Sequence, residues 1–281
     1  MPEAERHAQR IQSRLAELMR QSEEQISLAE AALVIASTEY PTLDLALYLQ
    51  RFDSMAAAIG SRLGGETDSF RIIGEINRFL FEEEGFFGNS KDYYDPRNSF
   101  LNEVLDRKTG IPITLSTVYL EIAERLHFPL VGVGLPGHFL IKHPYFQIII
   151  DPFEQGRLLS ESDCRARMQQ VLGNSIEFHH SFLDGVGKRH IVVRILNNLR
   201  TVYYNARQYR KALDVTGLAL AVQPDSPDQR KQRAGLLLHL GRYAEAASDL
   251  IFYLDQTPPP DDADEIRETL AKLRRTVAQM N

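Results

Sequence analysis

His138 and Asp151 are the two residues whose types and spacing could do proton chemistry. They stand near the ends of the stretch Gly132-Val-Gly-Leu-Pro-Gly-His138-Phe-Leu-Ile-Lys-His-Pro-Tyr-Phe-Gln-Ile-Ile-Ile-Asp151-Pro-Phe153, which reads as a β-hairpin. The apolar runs 139–141 and 146–150 are rich in the bulky residues that a pleated surface favours, and Pro144 in the break between them is pre-set for a turn. A turn centred at Pro144-Tyr145 puts His138 directly opposite Asp151, and opposed antiparallel residues send their side chains to the same face. An imidazole oriented by a carboxylate is a general base in search of a nucleophile.

The elements before the hairpin must supply that third group. Pro112 fits the first turn of a helix running through Val118, Leu120, Ile122 and Leu126, stopped by Phe128-Pro129, after which Leu130-Val-Gly-Val reads as a strand. The order is then helix, strand, His strand, Asp strand. A helix that starts at Pro112 points free backbone N–H groups and the positive end of its dipole at whatever lies in front of it. The candidate nucleophiles there are the hydroxyls of Thr114, Ser116 and Thr117. Upstream, apolar residues at helical spacing predict helices over 3–20, 26–38 and 42–62, with Gly64-Gly65 as a stop, and a helix capped by Asp68-Ser69 that runs to Gly85. The turn-rich segment from Gly85 to Pro96, with four aromatics, reads as a packed surface loop, and a short helix is expected from Asn98 to Lys108.

These residues and their order resemble the bacterial Sir-B-type invasion-regulator family, whose N-terminal part is transglutaminase-like and whose C-terminal part carries TPR-like repeats. The matching stretches are Tyr93-Tyr-Asp-Pro-Arg-Asn-Ser-Phe-Leu-Asn-Glu-Val-Leu105, Gly110-Ile-Pro-Ile-Thr-Leu-Ser116, Pro136-Gly-His-Phe139 and Asp151-Pro-Phe153. In transglutaminase-like and papain-like enzymes a cysteine sits at a helix N-terminus, a histidine opens a strand, and an acid on the next strand orients it. The resemblance gives those last two places to His138 and Asp151. The cysteine place falls at about Pro112 to Thr114, where there is no cysteine. Cys164 lies in a helix expected after the hairpin and reads as a small, half-buried helix residue. A hydroxyl in place of the thiol needs a general base at hydrogen-bond distance, so catalysis by Thr114 or Ser116 with His138 and Asp151 requires that contact. Without it the His-Asp pair is a structural tie between strands.

Composition excludes other classes. A net charge of -6 argues against a dedicated nucleic-acid binder, which needs a basic face. The single cysteine rules out an internal disulfide and any zinc site built on paired cysteines. With no stretch of membrane-spanning length and no signal-peptide pattern in the first twenty residues, the expected location is the cytoplasm. Gly132-Val-Gly-Leu-Pro-Gly137 matches a dinucleotide fingerprint letter for letter, but a strand follows it where a helix should. His179 and His180 are adjacent and would point to opposite faces of a strand. No cofactor and no metal is implied.

Asp184-Gly-Val-Gly187 is the expected domain boundary, giving a transglutaminase-like domain over 1–185 and a helical arm over 186–281. In the arm, helices are predicted over 190–206, 210–222, 228–240 and 243–255. Tyr209, Ala212 and Pro224 recur 34 residues later as Tyr243, Ala246 and Pro258, the TPR period. Tyr203 and Leu237 take the large position of the first helices, while Ala219 becomes Tyr253 at a small position. Pro258-Pro-Pro260 and an acidic run lead to a last helix over 264–279 that reads as a cap. Arg200, Arg207, Arg210, Lys211, Arg230, Lys231, Arg233 and Arg242 outnumber Asp214, Asp225 and Asp228, a pattern that suits either an acidic peptide partner or a solvated helical face. The expected fold is α+β and mostly α: a transglutaminase/papain-like helical domain with a small antiparallel sheet, followed by a TPR-like arm. The expected function is protein-protein interaction or regulation without catalysis. The alternative is an acyl-transferring or amide-hydrolysing enzyme.

Overall fold

The computed structural model describes residues 3–173, 176–256 and 261–280. The chain divides into two compact units, residues 1–195 and 196–281. The sequence places its boundary at Asp184–Gly187, whereas here Gly185–Val186 forms a strand of the first unit's sheet, and Ile191, Val192 and Ile195 beyond it are buried. The division therefore falls inside a helix.

The first unit is built on two helices that are buried nearly all round. Its helices are α1 (Glu3–Leu18), α2 (Leu28–Ala36), α3 (Leu45–Leu63), α4 (Ser69–Asn77), α5 (Leu101–Arg107), α6 (Pro112–Arg125) and α7 (Glu161–Leu172). All of α2 but Glu30, and α6 from Pro112 to Ala123, are buried. The α2 helix is apolar nearly all round and is covered as a helix without a polar face must be, whereas α6 takes polar side chains inside and bonds Thr114, Thr117 and Glu121 there. Around them pack α3 and α5. The starts follow local chemistry: Ser27, Asp44 and Asp68 each accept a hydrogen bond from the backbone N–H three residues on, and Pro112 opens α6. Gly64 ends α3 in the left-handed region, its N–H donating to the Gly60 carbonyl. Beyond α4 the chain widens into a π-helical turn over Arg78–Glu83. The two inner helices are also tied by charge. Glu121 of α6, almost fully buried, accepts from the Ala29 N–H at the start of α2 (2.8 Å) and from Arg125 (2.5 Å).

The unit's main sheet is antiparallel, with strand order β6-β5-β4-β3-β7, where β3 is Val131–Val133, β4 Leu140–Lys142, β5 Ile149–Asp151, β6 Arg157–Leu159 and β7 Gly185–Val186. A separate parallel pair joins β1 (Phe87–Gly88) to β2 (Thr109–Gly110). The hairpin register departs from expectation. Ile141 faces Ile150 and Lys142 faces Ile149, two residues away from the pairing that puts His138 opposite Asp151. The cause is the loop. His143 N–H donates to the Ile148 carbonyl, so Pro144 to Gln147 form a four-residue tip in which Tyr145 is 81% exposed. A slip of two keeps every side chain on its face, so His138 and Asp151 become diagonal neighbours on one side of the sheet. The loop from Gly85 is packed only in part: Phe86 is buried, whereas Phe87 and Tyr94 are exposed.

The second unit continues α8 (Lys188–Asn205) with α9 (Tyr209–Val222), α10 (Pro227–His239), α11 (Tyr243–Leu254) and α12 (Ala263–Met280). These agree closely with the helices read from the 34-residue period. Tyr203, Ala212, Leu237, Ala246 and Tyr253 are all buried. Pro258 to Pro260 lie outside the described residues. The core of the second repeat is Ala234, Leu237, Ala246, Leu250 and Leu273, so α12 closes it as a cap. Among the described residues, no helix is long and apolar enough to cross a membrane.

Candidate functional site

His138 leaves the turn before β4, its own N–H donating to the Leu135 carbonyl (3.0 Å). Its Nε2 lies 2.9 Å from Oδ2 of Asp151, the last residue of β5. Asp151 is fully buried and His138 nearly so. The second carboxylate oxygen, Oδ1, accepts from the Phe153 N–H (2.9 Å) and so caps the 3-10 turn Pro152–Glu154. The Phe153 ring and the imidazole meet in a T-shaped contact, with centroids 5.9 Å apart.

A third member of the cluster was not visible in the sequence. Arg167, on α7, places Nη1 2.9 Å from Asp151 Oδ2 and Nη2 2.5 Å from Glu154 Oε1. The same Nη1 stands 3.3 Å from His138 Nε2. One ring nitrogen cannot both donate to the carboxylate and accept from a guanidinium. The shorter contact decides: Nε2–H donates to Asp151, and Arg167 is a neighbouring cation held by the same oxygen. The Asp151 carboxylate is thus divided between an imidazole and an arginine. Sequence could have offered only a hint, an arginine one turn beyond Cys164 on the helix after the hairpin.

The hydroxyls do not join this pair. Thr114 Oγ1 donates to the Asn98 carbonyl (2.8 Å) and accepts from the Ile111 N–H (3.1 Å), sealing the first turn of α6. Ser116 is fully buried, with no hydrogen-bond partner for its hydroxyl among the described residues. Thr117 Oγ1 donates to the Ile113 carbonyl (2.8 Å). The geometry therefore brings together His138, Asp151 and Arg167, and leaves Thr114 and Ser116 in the interior packing of α6. What the cluster can do as it stands is hold the β4–β5 end and α7 together by charge-assisted bonds.

Cys164 is fully rather than half buried, packed with Val133, Leu140, Leu159 and Met168. Burial pushes its thiol up to about 11, with the Asp163 charge acting in the same direction. The native chain is therefore expected to resist thiol reagents at pH 8, and to react only at its unfolding rate, as a stopped assay with a chromogenic disulfide would read. A raised folded value means that the contribution is complete below 9.0 and is lost as pH climbs through about 11.

Residues 46–197 match the family model described as "Transglutaminase-like superfamily", and residues 199–271 match the tetratricopeptide repeat model. The chain is 35% identical over 260 residues to a UPF0162 protein of Xylella fastidiosa, covering 89% of this chain and 91% of that one. It is 24% identical to protein SirB1 of Salmonella typhimurium, over 82% of this chain and 85% of that protein. Human F-box only protein 21 is 29% identical over 64% of this chain, but only 30% of that longer protein is covered. No solved structure matches. A transglutaminase-like domain followed by tetratricopeptide repeats, and a near full-length likeness to these bacterial proteins, place the chain in the SirB-type family of UPF0162 proteins.

Proposed function

We propose that this protein acts by holding another protein, with a transglutaminase-like domain that does no catalysis and a TPR-like arm that takes an acidic segment of the partner. The observation that carries the non-catalytic reading is the bonding of Thr114, whose hydroxyl is used by Asn98 and Ile111 while His138 is bound to Asp151. An acyl-transfer mechanism needs a hydroxyl within about 3.5 Å of the base, and the bonding of Thr114 and the burial of Ser116 oppose it.

Four of the arm's basic residues are used internally. Arg230 and Arg233 pair with Asp249, Lys231 with Asp262, and Arg242 with Glu245. Arg200 differs. Its Nη1 donates to Asn197 Oδ1 (2.8 Å) and Gln229 Oε1 (2.9 Å), both neutral, and burial lowers its pKa below the usual arginine range. It lines a cavity of about 270 Å³ between α8 and α10 with Tyr204, Lys231, Gly235 and His239. A half-buried guanidinium with neutral partners, open to a groove, favours a carboxylate. Nothing lies within 4 Å of where a Cβ on Gly235 would stand, so a larger side chain there projects into the groove without disturbing α10.

The test is fluorescence anisotropy of a glutamate-rich peptide with the full chain. Gly235→Leu is expected to weaken binding at least tenfold, and His138→Asn to leave it within twofold, at about 1.4 kcal/mol per tenfold. Equal binding by Gly235→Leu, or loss with a folded His138→Asn, would sink the reading.

A further inference from the structure

The α8 helix carries a second cation with neutral partners, in the first unit and apart from the arm's groove. Arg194 Nη2 donates to the carbonyls of Leu135 (3.0 Å) and His138 (2.6 Å), and the guanidinium lies over the Phe139 ring, 5.3 Å from its centroid. Among the described residues no carboxylate pairs with it. Burial lowers its pKa, and the nearby Tyr93 phenol acts in the opposite direction. Arg167 and Arg125 show the contrast, each shared between two carboxylates. A charge taken from water and given only neutral acceptors keeps much of its desolvation cost.

His190 precedes Arg194 by one turn of α8, so the two side chains share a helix face. They converge on Gly134, the residue after β3. A Cβ built on Gly134 would stand 3.2 Å from Arg194 Nη1 and 3.7 Å from His190 Nε2. Nη1 is the nitrogen that the turn carbonyls leave over. The absence of a side chain at Gly134 thus gives two donors a common approach.

The geometry points to a carboxylate-binding site over Gly134, in which one ligand oxygen accepts from Arg194 Nη1 and the other from His190 Nε2–H. One fixed positive charge faces the site, which suits a monoanion; the second charge of a phosphate dianion would meet a neutral imidazole. Partial burial, and after it the charge of Arg194, holds His190 below its ordinary value, and the phenol of Tyr93 acts on Arg194 from the loop before α5. A bound carboxylate offsets the charge of Arg194 and favours the imidazolium, so the site binds more tightly as pH falls. Because Arg194 also holds the His138 carbonyl, occupancy here bears on the turn that sets His138.

The experiment is an NMR titration of the full chain with acetate at constant ionic strength, following the backbone amides of Leu135 and His138, which both variants keep. A saturable shift is expected. Gly134→Ala brings a methyl between the donors at a residue whose φ is not in the left-handed region, and His190→Ala removes one donor at an exposed position. Each is expected to weaken acetate about tenfold, the worth of one charge-assisted hydrogen bond. Shifts that track salt without saturating, or affinity unchanged in both variants, would overturn the site. Tighter saturable binding of inorganic phosphate at the same residues would overturn its assignment to carboxylates.

Discussion

Asp151→Ala is expected to destabilise the first unit by about 3–5 kcal/mol, the cost of breaking a buried ion pair by removing one partner. The carboxylate is fully buried and serves three donors: His138 Nε2, Arg167 Nη1 and the Phe153 N–H. Removal leaves the imidazole and the backbone N–H with no acceptor from it. Arg167, 17% exposed, is left with Glu154 alone, whose contact is nearer the surface. Urea denaturation followed by circular dichroism measures the loss. Asp151→Asn is expected to cost less, because its amide oxygen still accepts from one donor. His138→Asn should cost only about 1–2 kcal/mol, since Asp151 keeps Arg167 and Phe153. That ranking separates the two readings of the cluster. A tie between strands and α7 makes Asp151 its centre, whereas a base that the acid merely orients gives no reason for Asp151 to outrank His138 in stability. Equal destabilisation by Asp151→Ala and His138→Asn would count against the structural tie.

The pairing of His138 with Asp151 could be read from sequence because two facts survive error. Alternation in a strand fixes the face, and a hairpin brings its two ends together whatever the length of its turn. The register could not, since it depends on whether Tyr145 and Phe146 join the strands or the tip, and both are good strand residues. Their place in the tip is settled by His143, whose backbone closes the turn on Ile148. The helical arm was legible almost residue by residue, since a 34-residue period reports the same packing twice. Arg167 was not legible. Its partners are distant in sequence, and an arginine on a helix looks the same whether it meets solvent or a buried carboxylate. For the same reason the basic surplus of the arm misleads as a list. Arg230, Arg233 and Lys231 are neutralised by Asp249 and Asp262, neither of which stands near them in sequence, and Arg200 differs only because Asn197 and Gln229 are neutral.

The arm has its own buried carboxylate, and Asp249→Ala is the second large expected loss. Asp249 on α11 is almost fully buried. It accepts from Arg233 through Nε and Nη2, both at 2.6 Å, and from Arg230 Nη1 at 3.2 Å. The two arginines belong to α10, so the carboxylate pins one helix of the second repeat to the other. Its removal strands two guanidiniums, but both are close to 30% exposed and recover some hydration, which lowers the expected cost below that for Asp151, to about 2–3 kcal/mol. The effect on the arm is nonetheless large in proportion. Stability in a repeat array is a sum over repeats and the interfaces between them, and here there are two repeats and a cap to share it. Hydrogen exchange should therefore report faster opening of α10, α11 and α12 in Asp249→Ala, with α2 and α6 unchanged. An Arg233→Ala partner variant completes a double-mutant cycle, and a coupling energy near zero would show that the two residues are neighbours without being a tie.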